Sequence, residues 1–230
     1  MSVLTPTYNR RKFIPWLIQC FKDQDYPQNR MEWIILDDGS DKVEDLFLAS
    51  GLTNVRYYYE STKLKIGAKR NKLNELAKGD IIVCMDDDDY YPPERVIHVV
   101  NKFNTQKLNV QICGSSQVYL HYADNKTVYS VGPYGAKHCT NGTMGYRKEY
   151  IKTHKYDETV NNAEERSFLN NYTEPMVQLD PMKVMLVISH SQNTYDKIQL
   201  RNNNPMFKLS TMKIKNFIKK QDMRDFYANA

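Results

Sequence analysis

Four consecutive carboxylates, Asp86 to Asp89, stand between the apolar run Ile81 to Met85 and the pair Pro92-Pro93. Each ionised Asp raises the cost of ionising its neighbours. Hard divalent cations such as Mg²⁺ or Mn²⁺ relieve that repulsion, taking oxygen ligands from one or two carboxylates and from substrate phosphates. The same residues also read as a solvated acidic turn in which Asp89 caps the helix that follows. The apolar run ahead of them predicts a buried strand that delivers the aspartates to a sheet edge.

A basic segment, "KLKIGAKRNK", places Lys63, Lys65, Lys69, Arg70 and Lys72 around the start of a predicted helix. Helix N-termini favour anions, although a solvated basic helix face accounts for these residues equally. Neither a G-x-x-x-x-G-K-[ST] loop nor a G-x-G-x-x-G after a strand occurs. Any phosphate would therefore be held by a metal and by side chains.

The elements that must position these groups follow from the apolar pattern. Short β-rich runs at residues 2 to 4, 31 to 36, 55 to 59, 81 to 85 and 110 to 113 alternate with helical patterns at about 13 to 23, 43 to 49, 66 to 78 and 93 to 103. Such alternation predicts an α/β fold with a mostly parallel central sheet flanked by helices. Ligands then bind beyond the carboxyl ends of the strands. Three polar segments should meet there: "TPTYNR", "DDGSD" and "DDDDYY". Beyond residue 114 the chain predicts a hairpin turning at Asp124-Asn125, a helix over "NAEERSFLNNY" and a buried strand at 183 to 189.

At 230 residues, 41% apolar and 26% charged, the chain has ordinary globular composition and predicts a single folded domain. Of the net charge of +5, residues 206 to 230 account for +4, so the body is nearly balanced and no nucleic-acid partner is expected. We expect residues 1–205 to form the domain, 1–115 as a nucleotide-binding half and 116–205 as an acceptor and catalytic half. The segment 206–230 is expected to be a basic amphipathic element, packed on the core or lying peripherally on a membrane. No stretch approaches the roughly 20 apolar residues needed to cross a bilayer, and no signal-peptide pattern opens the chain, which predicts a cytoplasmic location. Cys20, Cys84, Cys113 and Cys139 are dispersed and predict reduced, buried thiols.

Together, "TPTYNR" at 5 to 10, "ILDDGSD" at 35 to 41 and "GAKRNKLNELAKGDIIVCMDDDD" at 67 to 89 resemble the family-2 glycosyltransferases of the GT-A fold. The resemblance covers roughly the first hundred residues. It implies that Thr5, Tyr8 and Asp38 hold the base of a nucleotide-sugar, UDP-linked, and that Arg70 contacts the diphosphate or the base loop. Stacking by Tyr8 and acceptance of a ring N–H by Asp38 are chemically reasonable, while Asp37 to Ser40 also suit a capped turn. The family's D-x-D motif maps to Asp86, Asp87 and Asp88. Asp86 and Asp87 then serve the nucleotide and Asp88 binds Mn²⁺ or Mg²⁺, with His190 as a further metal contact.

By the same resemblance, Gly142 and Gly145 line a donor and acceptor loop, and Glu165 stands where the family carries its catalytic base. Glu164 and Glu165 also read as the charged first turn of a helix. The implied reaction is metal-dependent transfer of a sugar, with inversion, to a hydroxyl on a glycan, lipid or protein acceptor. Two alternatives use the same carboxylates: a nucleotidyltransferase acting on sugar phosphates, and a non-catalytic Ca²⁺-binding module.

Overall fold

Residues 1–105, 110–193 and 197–230 are described by a computed structural model. The first half follows the predicted alternation: β1 (Ser2–Thr7), α1 (Ile14–Lys22), β2 (Glu32–Asp37), α2 (Glu44–Ala49), β3 (Val55–Tyr59), α3 (Ile66–Leu76), β4 (Ile81–Cys84), α4 (Arg95–Thr105) and β5 (Ile112–Gly114). The second half adds β6 (Val118–Tyr122), β7 (Thr127–Val131), β8 (Gly145–Arg147), α5 (Glu165–Phe168), β9 (Met176–Gln178), β10 (Leu186–Ser189), α6 (Lys197–Asn203), β11 (Phe207–Leu209), α7 (Ile214–Phe217) and α8 (Gln221–Ala228).

The main sheet has the order β3-β2-β1-β4-β8-β5-β9, with β8 alone antiparallel to its neighbours. Successive side chains of a strand point to opposite faces, so each inner strand supplies two cores. Val3, Trp33, Ile35 and Val83 pack with Leu17 and Phe21 of α1 and Val96 and Val99 of α4. Leu4, Ile34, Leu36 and Ile82 pack on the other face with Leu73 of α3 and with Tyr146, Tyr156 and Phe168. Apolar residues fill both faces, as expected of strands covered by helices on both sides.

Chain order runs outward from β1 through β2 to β3, then returns to place β4 on the other side of β1. The boundary between β1 and β4 is therefore a topological switch point, where a crevice opens beyond the strand ends. Thr7 pairs with Asp37 and Leu4 with Cys84, so the loops after β1, β2 and β4 leave along one edge.

A second sheet, β10-β6-β7-β11, is built from the predicted hairpin and two later segments. The expected strand at 183 to 189 is confined to Leu186–Ser189, because a 3-10 turn occupies Pro181–Lys183. The expected helix over 162 to 172 is reduced to one turn. Asn170, Asn171 and Tyr172 all adopt left-handed backbone, with φ of 47°, 56° and 61°, which terminates it.

Residues 206–230 do not form a single amphipathic helix. They contribute β11, α7 and α8, and Ile218, Met223 and Tyr227 are 2% exposed or less within the core on the α1 side. Phe226 stacks on Trp16 at 5.1 Å. Much of the segment's apolar surface is thus packed on the protein's own core, one of the two expected arrangements, while Leu209 stays 66% exposed. Among the described residues no helix is long and apolar enough to cross a membrane.

Candidate active site

The loops after β1 and β2 are clipped together before they reach the crevice. Asn9, with φ 53°, accepts the Asp41 backbone N–H at 3.0 Å and the Ser40 hydroxyl at 3.3 Å. Asp37 holds its own turn, accepting Gly39 N–H at 2.8 Å, Val43 N–H at 3.2 Å and the Tyr57 hydroxyl at 2.6 Å. Asp38 faces the other way. Its carboxylate pairs with the Lys69 ammonium and accepts Leu64 N–H at 2.7 Å. Lys69 also donates to the Thr7 carbonyl at 2.9 Å, so one buried cation ties β1, β2 and α3 at the sheet edge. Burial lowers the Lys69 pKa, and Asp38 opposes the shift.

Tyr8 stands half-exposed at this edge, with the Lys63 ammonium 3.9 Å from its ring centroid. Thr5 does not belong to the site. It is wholly buried inside β1, and its hydroxyl is committed to the Trp33 indole N–H at 2.9 Å.

The acidic run is divided residue by residue. Asp86 accepts from Arg70 Nη2 at 3.0 Å, while Arg70 Nε donates to Glu164 at 2.8 Å. Glu164 also accepts the Asn141 amide at 2.9 Å, and Asn141 accepts the Tyr156 hydroxyl at 3.0 Å. A continuous polar chain therefore runs from the end of β4 through α3 to the turn that starts α5. Burial raises the Asp86 pKa, and Arg70 works against that rise. Of the five basic residues around the start of α3, Arg70 and Lys69 are turned inward, 7% and 4% exposed, whereas Lys63 and Lys65 are exposed as a solvated face would have them.

Asp87 and Asp88 share a different cation. Arg10 Nε lies 3.9 Å from Asp87 and 3.6 Å from Asp88, and Arg10 Nη2 donates to the Gln192 carbonyl at 2.6 Å. Burial, then the charge of Asp88, pushes Asp87 up to about 8. Burial would raise Asp88 as well, but the His190 hydrogen bond and the charges of Lys197, His190 and Arg10 hold it well below the usual carboxylate range. Asp88 is the ionised member of the pair. Asp89 is not a helix cap: it accepts Ile188 N–H at 2.9 Å, and its carbonyl takes the Tyr227 hydroxyl at 3.1 Å, joining β10 and α8 to the site.

The His190 ring is buried against Phe13, with centroids 4.5 Å apart, and its Nε2 lies 3.1 Å from Asp88 Oδ2. Burial lowers its pKa while the hydrogen bond and charge of Asp88 oppose the shift, and Nδ1 accepts Gln192 N–H at 3.1 Å. Nε2 faces both the Asp88 carboxylate, an acceptor, and the Asn193 amide nitrogen at 2.8 Å, a donor. Ligation through Nε2 requires that nitrogen to be free of a proton and the Asn193 amide to turn away. The donor set otherwise suits a hard divalent ion: 3.1 Å is close to the separation of neighbouring ligands around an octahedral ion with bonds of about 2.1 Å. Among the described residues no three Asp, Glu, His or Cys side chains converge as a closed cage. Asp88 with His190 would form an open set, the remaining positions going to water and diphosphate oxygens.

Gly142 lies against the acidic run: a Cβ there would sit 3.1 Å from Asp86 Oδ2 and 2.9 Å from Met185. Gly145 is elsewhere. It belongs to β8, where a Cβ would come within 2.6 Å of Val99, so its role is to let α4 pack on the sheet. Glu165 opens α5 beside the Arg70-bound Glu164. Burial, then the charge of Glu164, pushes it up to about 7, and no other side chain hydrogen-bonds it among the described residues. A carboxylate poised near neutrality and left unpaired is suited to general-base work.

The sequence does not single out Arg10, Asn141 or Asn193, whose amide lies 3.3 Å from Asp88; it offers Lys69 only as a phosphate contact and Glu164 only as an alternative to Glu165. Arg10 and Lys69 stood inside quoted motifs, and their spacing from the strand ends was the available signal. Asn141 and Asn193 stand beside Gly142 and shortly after His190, but no feature of their own marks them.

Residues 2–155 match the model of glycosyl transferase family 2. Over 103 residues the chain is 30% identical to the poly(ribitol-phosphate) beta-N-acetylglucosaminyltransferase TarS of Staphylococcus aureus, covering 40% of this chain and 17% of TarS. The match thus spans about a sixth of that relative. The structure of TarS 1-349 in complex with UDP-GlcNAc superposes with a TM-score of 0.64 at 18% identity, covering 84% of this chain and 59% of that one. The mannosyltransferase PcManGT from Pyrobaculum calidifontis, in complex with GDP-Man and Mn²⁺, gives a TM-score of 0.67 at 14% identity, covering 87% and 60%. The likeness to these solved structures establishes the GT-A fold.

Proposed function

The chain belongs to glycosyl transferase family 2, and from that premise we propose that it moves a sugar from a UDP-linked nucleotide-sugar to an acceptor hydroxyl, with inversion. Tyr8 and Asp38 receive the base, which takes the place of Lys63 on the Tyr8 face and of Leu64 N–H on the carboxylate. Asp88 and His190 hold Mn²⁺ or Mg²⁺. When bound, the ion stabilises charge that develops on the departing diphosphate.

Arg10, released from Asp87 and Asp88, adds a guanidinium to the same phosphates. Arg70 positions Asp86 and Glu164 by bonding both. Glu165 takes the proton of the acceptor hydroxyl as its oxygen attacks the anomeric carbon from the face opposite the leaving phosphate.

The observation that carries this reading is the Arg70 bridge, 3.0 Å to Asp86 and 2.8 Å to Glu164, which couples the acidic run to the turn bearing Glu165. UDP-GlcNAc in TarS and GDP-Man with Mn²⁺ in PcManGT support a nucleotide-sugar and a divalent ion. The test is incubation with a panel of UDP- and GDP-sugars and Mn²⁺, with the released product identified by chromatography. UDP release that stops on chelation is expected; release of pyrophosphate, or of GDP in preference to UDP, would refute the assignment.

A further inference from the structure

Three aromatic rings stand in a row. Tyr134 and His138 have centroids 4.8 Å apart, and His138 and Tyr172 are stacked at 4.7 Å. Two segments distant in sequence meet to form the row. The first, residues 132–140, follows β7 and is held by Tyr134 N–H on the Ser116 carbonyl at 3.1 Å and by Gln178 Nε2 on the carbonyls of Ala136 and His138 at 3.0 and 3.1 Å. The second is the turn after α5, pinned by Asn171 N–H on Arg166 at 2.8 Å and Thr173 N–H on Leu169 at 3.1 Å. Tyr172 itself takes a left-handed φ of 61°, a conformation that costs free energy for a bulky side chain and that recurs at ligand clamps.

Tyr172 brings one end of the row within range of the charge of Glu165. Asn141, three residues beyond His138, donates to Glu164, and Tyr172 belongs to the turn that closes α5. Burial, then the charge of Glu165, pushes the Tyr172 hydroxyl up to about 12.

The core takes up these rings only in part: Tyr172 packs against it at one side. Tyr134 is 42% exposed, and His138 and Tyr172 are half-buried. Neither tyrosine hydroxyl has a hydrogen-bond partner among the described residues, and His138 Nδ1 is buried without one. Flat apolar faces with unpaired polar tips fit a ligand of matching character: a face of C–H groups rimmed by hydroxyls. A pyranose ring has that character, whereas a lipid chain offers no hydroxyls and an open-chain polyol no flat face.

We propose that Tyr134, His138 and Tyr172 form the acceptor subsite and that the acceptor is a glycan, its terminal sugar packed on these rings with one hydroxyl directed to Glu165. The proposal rests on Glu165 being the base. The ordered rings, rather than the nucleotide side, then select what is glycosylated.

The test is saturation-transfer NMR on the full chain with UDP and Mg²⁺, and again without them, using maltotriose, cellotriose and N-acetylchitotriose as probes and glycerol as the open-chain control. At least one trisaccharide should receive saturation from the aromatic protons, and glycerol should receive none. Tyr134→Ala and Tyr172→Ala should each weaken that trisaccharide about fivefold or more, with Tyr→Phe keeping most of the affinity and UDP affinity unchanged in every variant. Absence of contact from all three trisaccharides, equal affinity in the Ala variants, or glycerol binding as well as the sugars would overturn the subsite. A wild-type chain that binds a trisaccharide through these rings but fails to bind UDP would instead refute the donor reading.

Discussion

Replacing Arg10 by Ala should tighten Mn²⁺ binding in the absence of any nucleotide. The guanidinium lies 3.6 Å from Asp88 and 3.9 Å from Asp87, and the three side chains are 11% to 16% exposed. An ion arriving at Asp88 meets a unit positive charge within a few ångströms. Even with the dielectric of water, two like unit charges about 4 Å apart repel by about 1 kcal/mol, and a divalent ion doubles that to about 2 kcal/mol. Some of this is avoided if Arg10 swings toward solvent, which leaves about 1.4 kcal/mol, or roughly tenfold in affinity. Electron paramagnetic resonance of free Mn²⁺, or calorimetry, reads the change directly. Arg10→Lys, which keeps a charge near the pair, should show little gain. An Arg10→Ala chain that binds Mn²⁺ no better than wild type, or worse, would refute the view that this arginine competes with a cation.

Other consequences can be measured separately. Glu165 must be ionised to act as base and is held at about 7, so kcat/KM should rise with pH through that value and flatten above it; a profile flat from pH 5 to 9 would remove Glu165 from the role. Glu165→Gln should lose about 10² to 10⁴ in turnover while UDP affinity is retained. Arg70→Met leaves Asp86 and Glu164 buried without their cation and should destabilise the fold by about 3 to 5 kcal/mol in denaturant titration, far more than loss of a surface lysine. Ile218→Ala, in a wholly buried position of the C-terminal segment, should cost about 2 to 5 kcal/mol, whereas a separable tail would make it silent.

The strand-and-helix half of the fold was legible because both faces of its strands are buried, so runs such as "IIVC" and "WIIL" are continuously apolar and end abruptly in polar residues. Their parallel arrangement makes those endings converge, and Asp38, Asp86 and Asp88 could be placed together on that ground alone. Legibility failed where elements are short. β8 has three residues, all in a glycine-containing stretch that also reads as a turn, and its antiparallel place between β4 and β5 depends on partners distant in sequence. Thr5 lies two residues inside the end of β1, and its hydroxyl is turned to Trp33 rather than to the crevice. Ion pairs were the least legible of all. Arg70 bonds Glu164 across 94 residues and His190 meets Asp88 across 102, and no local pattern announces either.

The account stands or falls on whether a cation at Asp88 joins the protein to a nucleoside diphosphate. Calorimetric titration of UDP into the chain with Mn²⁺, then after chelation, measures this, with Asp88→Asn as the paired variant. The account predicts binding that needs Mn²⁺, is lost on chelation and is weakened tenfold or more by Asp88→Asn without loss of folded structure. UDP affinity that is the same with and without Mn²⁺, or unchanged in Asp88→Asn, would contradict it.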